Sequence, residues 1–260
     1  MTHLLAAYTL WRRELVRFFR QPSRIFSAAA SPLLFWLLIG TGLSSSFRLP
    51  GGPADVDYFE YFFPGTVVLL VLFAAIFSTI SVIEDRHQGF LQAVLVAPVG
   101  RGSLVAGKVL GGATLAWLQG SLYLVLAPLA GIALSLTSLL EALGVLALLA
   151  VALTALGFAF AWRVDSTQGF HAVMNLLLVP MWLLSGAFFP LAGAPAWLEW
   201  VMRLNPLTYG MAALRRVLYL KPESLGPDLP RLGPALAVMV VCCGAAFAAD
   251  LLVLRRGRAI

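Results

Sequence analysis

The chain has 260 residues, 60% of them hydrophobic and only 12% charged, with a mean hydropathy of +0.90. That leaves too little polar surface to coat a soluble globule, which carries about 25% charged residues. The formal charge of +6 is read first as membrane topology rather than as a nucleic-acid footprint, and the adjacent Cys242 and Cys243 suit neither a disulfide framework nor a spaced metal site.

In the first segment Leu4, Tyr8, Trp11, Leu15 and Phe18 recur at helical spacing, while Arg13, Arg17, Arg20 and Arg24 follow at steps of three or four. This predicts a cytoplasmic amphipathic helix over residues 1–24, lying in the headgroup plane with its arginines toward anionic lipid. It serves either as a topology anchor alone or also as part of a docking surface for a cytoplasmic partner. No cleaved signal peptide is expected, because the apolar run that follows is of full span length and lacks a small-residue cleavage pattern.

A helix needs about 20 apolar residues to cross the hydrocarbon. Stretches nearly free of Asp, Glu, Lys and Arg predict six spans, over residues 25–47, 61–83, 106–131, 140–162, 171–190 and 233–254. The expected fold class is therefore an all-α integral membrane protein, one six-helix body over 25–254 with a cytoplasmic tail at 255–260.

Between the second and third spans, residues 84–105 form a loop longer than a simple connection needs. Phe90, Leu91, Val94 and Leu95 make an apolar stripe on a short helix that Pro98 stops, bracketed by Glu84, Asp85, Arg86 and Arg101. An exposed apolar stripe must bury itself in lipid or in a partner protein. Further on, Gly102 to Lys108 matches most of the phosphate-binding pattern G-x-x-x-x-G-K-[ST]. Val109 fails the last position, no strand precedes the string, and a nucleotide site is not expected.

Before the last span, residues 195–220 read as two short interfacial or re-entrant helices broken at Asn205-Pro206, with Trp197 and Trp200 at headgroup depth. Six spans place both termini on one side. That side carries Arg12, Arg13, Arg17, Arg20, Arg24, Arg86, Arg101, Lys108, Arg163, Arg255, Arg256 and Arg258, twelve of the eighteen basic residues, and is assigned to the cytoplasm. The three histidines, His3, His87 and His171, form no catalytic motif, and Glu141 and Asp250 sit near predicted span ends. An ion-coupled carrier and a membrane-embedded lipid-modifying enzyme are the alternatives, and neither finds its mid-membrane charge or nucleophile.

The local strings resemble the permease subunit of type-2 ATP-binding-cassette exporters, closest in flavour to the daunorubicin-resistance permeases. Those strings are Ser81 to Leu91 with Glu84-Asp85-Arg86 and Gly89, Ala97-Pro98 through Arg101, Gly107-Lys108, Ser185-Gly186 to Pro190, Pro195 to Leu198, and Leu204 to Tyr209. The resemblance implies a homodimer of this chain in the cell inner (plasma) membrane, paired with two copies of a separate ABC ATPase that binds ATP and Mg, with no cofactor on this chain. It also implies that Glu84, Asp85, Arg86, Gly89, Phe90, Leu91, Val94, Leu95, Pro98 and Arg101 form the ATPase-coupling segment. In that segment Glu84 caps the second span, Phe90, Leu91 and Leu95 fill the ATPase cleft, and Leu91→Asp abolishes transport while sparing insertion. Trp197, Asn205, Pro206 and Tyr209 are implied as an external gate.

Overall fold

A computed structural model describes residues 2–20, 22–43, 57–191, 194–219 and 230–256. Arg258, assigned to the cytoplasmic side, and the end of the first expected span beyond residue 43 lie outside these, and side chains at 2, 22–29, 31 and 255–256, Arg24 among them, are likewise not described. Among the described residues the fold is all-helical, without strands.

Helix α1 (Thr2–Phe19) ends just before Pro22, which opens α2 (Pro22–Leu43), a position where the missing amide of proline costs nothing. Helices α3 (Tyr58–Ser78) and α4 (Ile80–His87) run nearly end to end. At their joint Ser78 Oγ donates to the Ala75 carbonyl and Thr79 Oγ1 to that of Ile76, both at 2.6 Å, the side-chain back-bonding that bends helices. Next come α5 (Phe90–Val96), α6 (Arg101–Leu124), a 3-10 turn at Ala127–Ala130 and α7 (Leu136–Ala161), which opens on a Ser135/Ser138 capping box. Helix α8 (Thr167–Trp182) passes through a π turn at Leu183–Ala187 before the short α9 (Ala196–Leu204) and α10 (Pro206–Leu218), and α11 (Leu232–Arg256) closes the bundle.

Four stretches are long and apolar enough to cross a membrane among the described residues: Tyr58–His87, Leu136–Ala161, Thr167–Ala187 and Leu232–Leu254. The apolar part of Tyr58–His87 is 83% buried and that of Leu232–Leu254 only 11%. The second span expected from the sequence is therefore the axis of the bundle, and the last is peripheral. Aromatic packing holds the axis at its first turns, where Trp36 stacks on Phe59 with ring centroids at 4.3 Å and donates from Nε1 to the Phe59 carbonyl at 2.9 Å.

Helix α1 does not lie free in the headgroup plane. It packs along the first half of α6, where a Cβ on Gly107 would stand 2.6 Å from Leu10 Cβ and 2.8 Å from the Ala7 carbonyl oxygen, and one on Gly111 would stand 2.8 Å from Glu14 Cβ. The buried face of α1 carries Leu10 and Glu14, while Leu4, Leu5, Tyr8 and Phe19 are exposed. Close helix approach at glycine follows the small-residue rule of membrane packing. Gly107→Ala is expected to cost about 1–3 kcal/mol through overpacking, seen as a lower Tm and faster exchange of α1 amides. Wild-type exchange in that variant would show that α1 is not seated there.

Candidate functional site at the corner of helices 4, 5 and 6

At the end of the axis, α4 presents Ser81, Glu84 and Asp85 toward α1 and α6. Asp85 is wholly buried, Lys108 of α6 is 4% exposed and Glu14 of α1 is 6% exposed. Arg13 grips Asp85 with two parallel hydrogen bonds, Nη1 to Oδ2 at 2.7 Å and Nη2 to Oδ1 at 2.8 Å. Arg17 donates to Asp85 Oδ1 at 3.3 Å and pairs with Glu84. Lys108 Nζ donates to Glu14 Oε1 at 2.6 Å and Ser81 Oγ at 3.2 Å, and also to Asp85. Three cations thus meet three carboxylates, a neutral cluster whose members are tolerable at this depth because each is paired. The hydrogen bonds that Arg13 donates to Asp85 push its pKa above the usual value, and the guanidinium also lies 3.8 Å over the Phe90 ring.

The expected orientation of the arginines is corrected here. Arg13 and Arg17 turn toward α4, where the carboxylates of Asp85 and Glu84 accept their hydrogen bonds. Lys108 was missed as a site residue. Its signals were a lysine leading an apolar run and an acid, Glu14, within an otherwise basic helix.

The chain leaves α4 through Gly89, whose φ of +73° lies in the left-handed region that glycine adopts without strain. Helix α5 then runs with Leu91 turned into the core at 3% exposure and Val96 outward at 87%. Phe90, Val94 and Leu95 are half-buried, whereas Gln92, Ala93 and Pro98 are exposed. The apolar stripe expected to face outward is thus split, with Leu91 as an internal anchor and Val96 as the exposed apolar residue.

Each charged residue flanking α5 holds another helix. Arg86 donates to the carbonyls of Ala161, Trp162 and Val164 at 3.2, 2.6 and 3.3 Å and to Asp165 Oδ1 at 3.1 Å, satisfying orphan carbonyls at the end of α7. His87 Nε2 is 2.8 Å from the Asp165 carbonyl oxygen. Arg101 Nη1 donates to the Leu254 carbonyl of α11 at 3.1 Å, and the Gly100 amide donates to His3 Nδ1 at 3.1 Å. The corner is therefore fastened to α1, α7 and α11 at once.

At the opposite end, Asn205 caps α10 by accepting from the Leu207 amide at 3.0 Å, and its Nδ2 donates to the Met181 carbonyl of α8 at 2.6 Å. Pro206 opens α10, and Tyr209 donates to the Arg203 carbonyl at 2.9 Å. Trp197 is 69% exposed, on a face of α9 with Trp200 and Leu204, so it does not line the bundle interior. The firmer link was not read from the sequence: buried Arg215 donates to the Tyr61 hydroxyl at 3.0 Å and lies 3.9 Å over its ring, and Tyr61 in turn donates to the Gly186 carbonyl at 2.9 Å. No group of three or more His, Cys, Asp or Glu side chains suited to a metal occurs among the described residues.

The family model described as "ABC-2 type transporter" matches residues 6–219. Nodulation protein J of Rhizobium meliloti (strain 1021) is 30% identical over 237 residues, covering 90% of this chain and 86% of the relative. The putative transport permease ycf38 of Cyanophora paradoxa is 28% identical over 211 residues, covering 80% and 72%, and that of Porphyra purpurea is 27% identical over 215 residues, covering 80% and 72%.

Proposed function

The chain belongs to the ABC-2 type transporter family and is a transmembrane permease of an ABC transporter, and on that premise we propose that it is the membrane half of an ATP-driven exporter. Two copies of the chain pair with two copies of a separate ABC ATPase, which binds ATP and Mg. Helices α2 and α6 join the four apolar stretches to make six spans in the plasma (inner) membrane, with both termini cytoplasmic.

The observation that carries this reading is the corner itself. A short helix bears an exposed Val96 on one side and meets α1 through Phe90 on the other, and the residues of α4 and α6 that flank it are fastened to α1, α7 and α11. A partner that pushes on α5 moves four helices together, which is what a separate engine requires. Arg13, Arg17, Glu84 and Asp85 act as the rigid joint, and Gln92, Ala93 and Val96 are the contact face. The external hairpin α9–α10, held by Asn205 and Arg215, closes the outer end.

The cargo is hydrophobic or amphipathic, a drug, lipid or glycan-lipid moved outward. Supporting this, an apolar pocket of about 290 Å³ lies between α7, α8, α10 and α11, lined by Leu153, Met181, Leu207, Met239 and Cys242. Purification of the tagged chain from its own membranes is expected to bring down a P-loop ATPase in equal amount, with vanadate-sensitive ATP hydrolysis in nanodiscs. A pure chain without such a subunit and without hydrolysis would contradict the proposal.

A further inference from the structure

Helix α11 buries one stripe, which includes Ala235, Met239, Asp250 and Leu254. Asp250 is completely buried on it, and both carboxylate oxygens lack a hydrogen-bond partner. Among the described residues no cation pairs with it. Buried polar groups are almost always hydrogen-bonded, and an orphan costs about 2–7 kcal/mol, so a carboxyl group kept here needs a partner in some state of the molecule.

Among the described residues, a cation is held one helical turn further along the same helix. Arg101 Nη1 rests on the Leu254 carbonyl oxygen, one of the terminal carbonyls of α11 that no helix amide reaches. Leu254 and Asp250 are four residues apart on the same face, separated by about 6 Å along the axis, a distance that an arginine side chain covers by changing rotamers. Arg101 is also the first residue of α6, five positions after α5 ends at Val96. It therefore stands between the exposed helix α5 and the last span.

We propose that Asp250 is the partner of Arg101 in the ATP-driven state: displacement of α5 lifts the guanidinium from the Leu254 carbonyl and seats it on Asp250, latching the start of α6 to α11. In the resting state the carboxyl waits unpaired while Arg101 caps the helix end. Both are positioning residues for the transport cycle, and the inference rests on the permease and ATPase reading given above.

The test uses the full complex in nanodiscs, measuring vanadate-sensitive ATP hydrolysis for Arg101→Gln, Arg101→Lys, Asp250→Asn and the double variant R101Q/D250N. Each of R101Q and D250N is expected to lower the rate about tenfold, with the double variant no worse than the worse single one, because two contacting groups do not add. R101K is expected to keep most of the rate, and D250N to melt at or above the wild-type temperature without nucleotide. Additive losses, wild-type hydrolysis by D250N, or a clearly lower D250N melting temperature would each overturn the latch. An unmutated chain that captures no ATPase would overturn the underlying reading instead.

Discussion

Lys108→Met is expected to cost the fold about 3–5 kcal/mol, because it strips the shared cation from two buried carboxylates. Glu14 and Asp85 are 6% and 0% exposed, and methionine fills the volume of the lysine stem without supplying its charge. Arg13 and Arg17 would still hold Asp85, but Glu14 would keep only Arg13 Nη1, 3.7 Å from its Oε1. The consequence is local as well as global. Helix α1 loses its strongest tie to α6, and the corner that carries α5 loosens with it.

The expected readout is a lower Tm of the nanodisc complex together with loss of vanadate-sensitive ATP hydrolysis. The triple variant K108M/E14Q/D85N should recover much of the stability, since removing all the facing charges is far less costly than removing one. It should not recover coupling, because Arg13 then loses Asp85, the carboxylate that orients it, and Arg17 keeps only Glu84. If K108M melts like the wild type, the cluster is not the joint described here.

Val96→Asp is the complementary change. Val96 is 87% exposed, so the substitution should leave stability within about 0.5 kcal/mol of the wild type. Placed in an apolar partner cleft, the same carboxylate is desolvated and unpaired, which should weaken ATPase binding by more than about tenfold. Leu91→Asp is expected to behave differently. With Leu91 at 3% exposure in the core, that carboxylate damages the fold first, and its effect on transport reports stability rather than docking. Binding that survives V96D at wild-type strength would place the partner elsewhere.

The helical class and four of the six expected span regions were legible because hydropathy over about 20 residues depends on the bilayer and hardly on neighbours. The break at Asn205-Pro206 and the stop after α5 were legible because proline acts locally. What periodicity could not supply was the identity of the surface covering each face. On α1 the recurring arginines define a face, and only the fold reveals that α4, rather than lipid, meets it. On α5 two apolar faces share seven residues, and the sequence holds no signal that Leu91 turns inward while Val96 turns out. In the sequence Gly107-Lys108 reads as the end of a failed phosphate-loop pattern. Its glycine admits α1 and its lysine closes the charge cluster, roles that need residues nearly 100 positions apart in sequence to be seen together. Asp250, expected near a span end, is wholly buried on α11, because that helix packs its one acidic position against the bundle.

The central claim is that the outward face of α5 meets an ATPase. A photo-reactive residue placed at position 96 of the full chain in its native membrane tests it most directly, with the cross-linked product identified by mass spectrometry. The account predicts a cross-link to a P-loop ATPase subunit that weakens or shifts when vanadate traps the complex. Cross-links to lipid alone, or to none of the P-loop ATPases present, would contradict it.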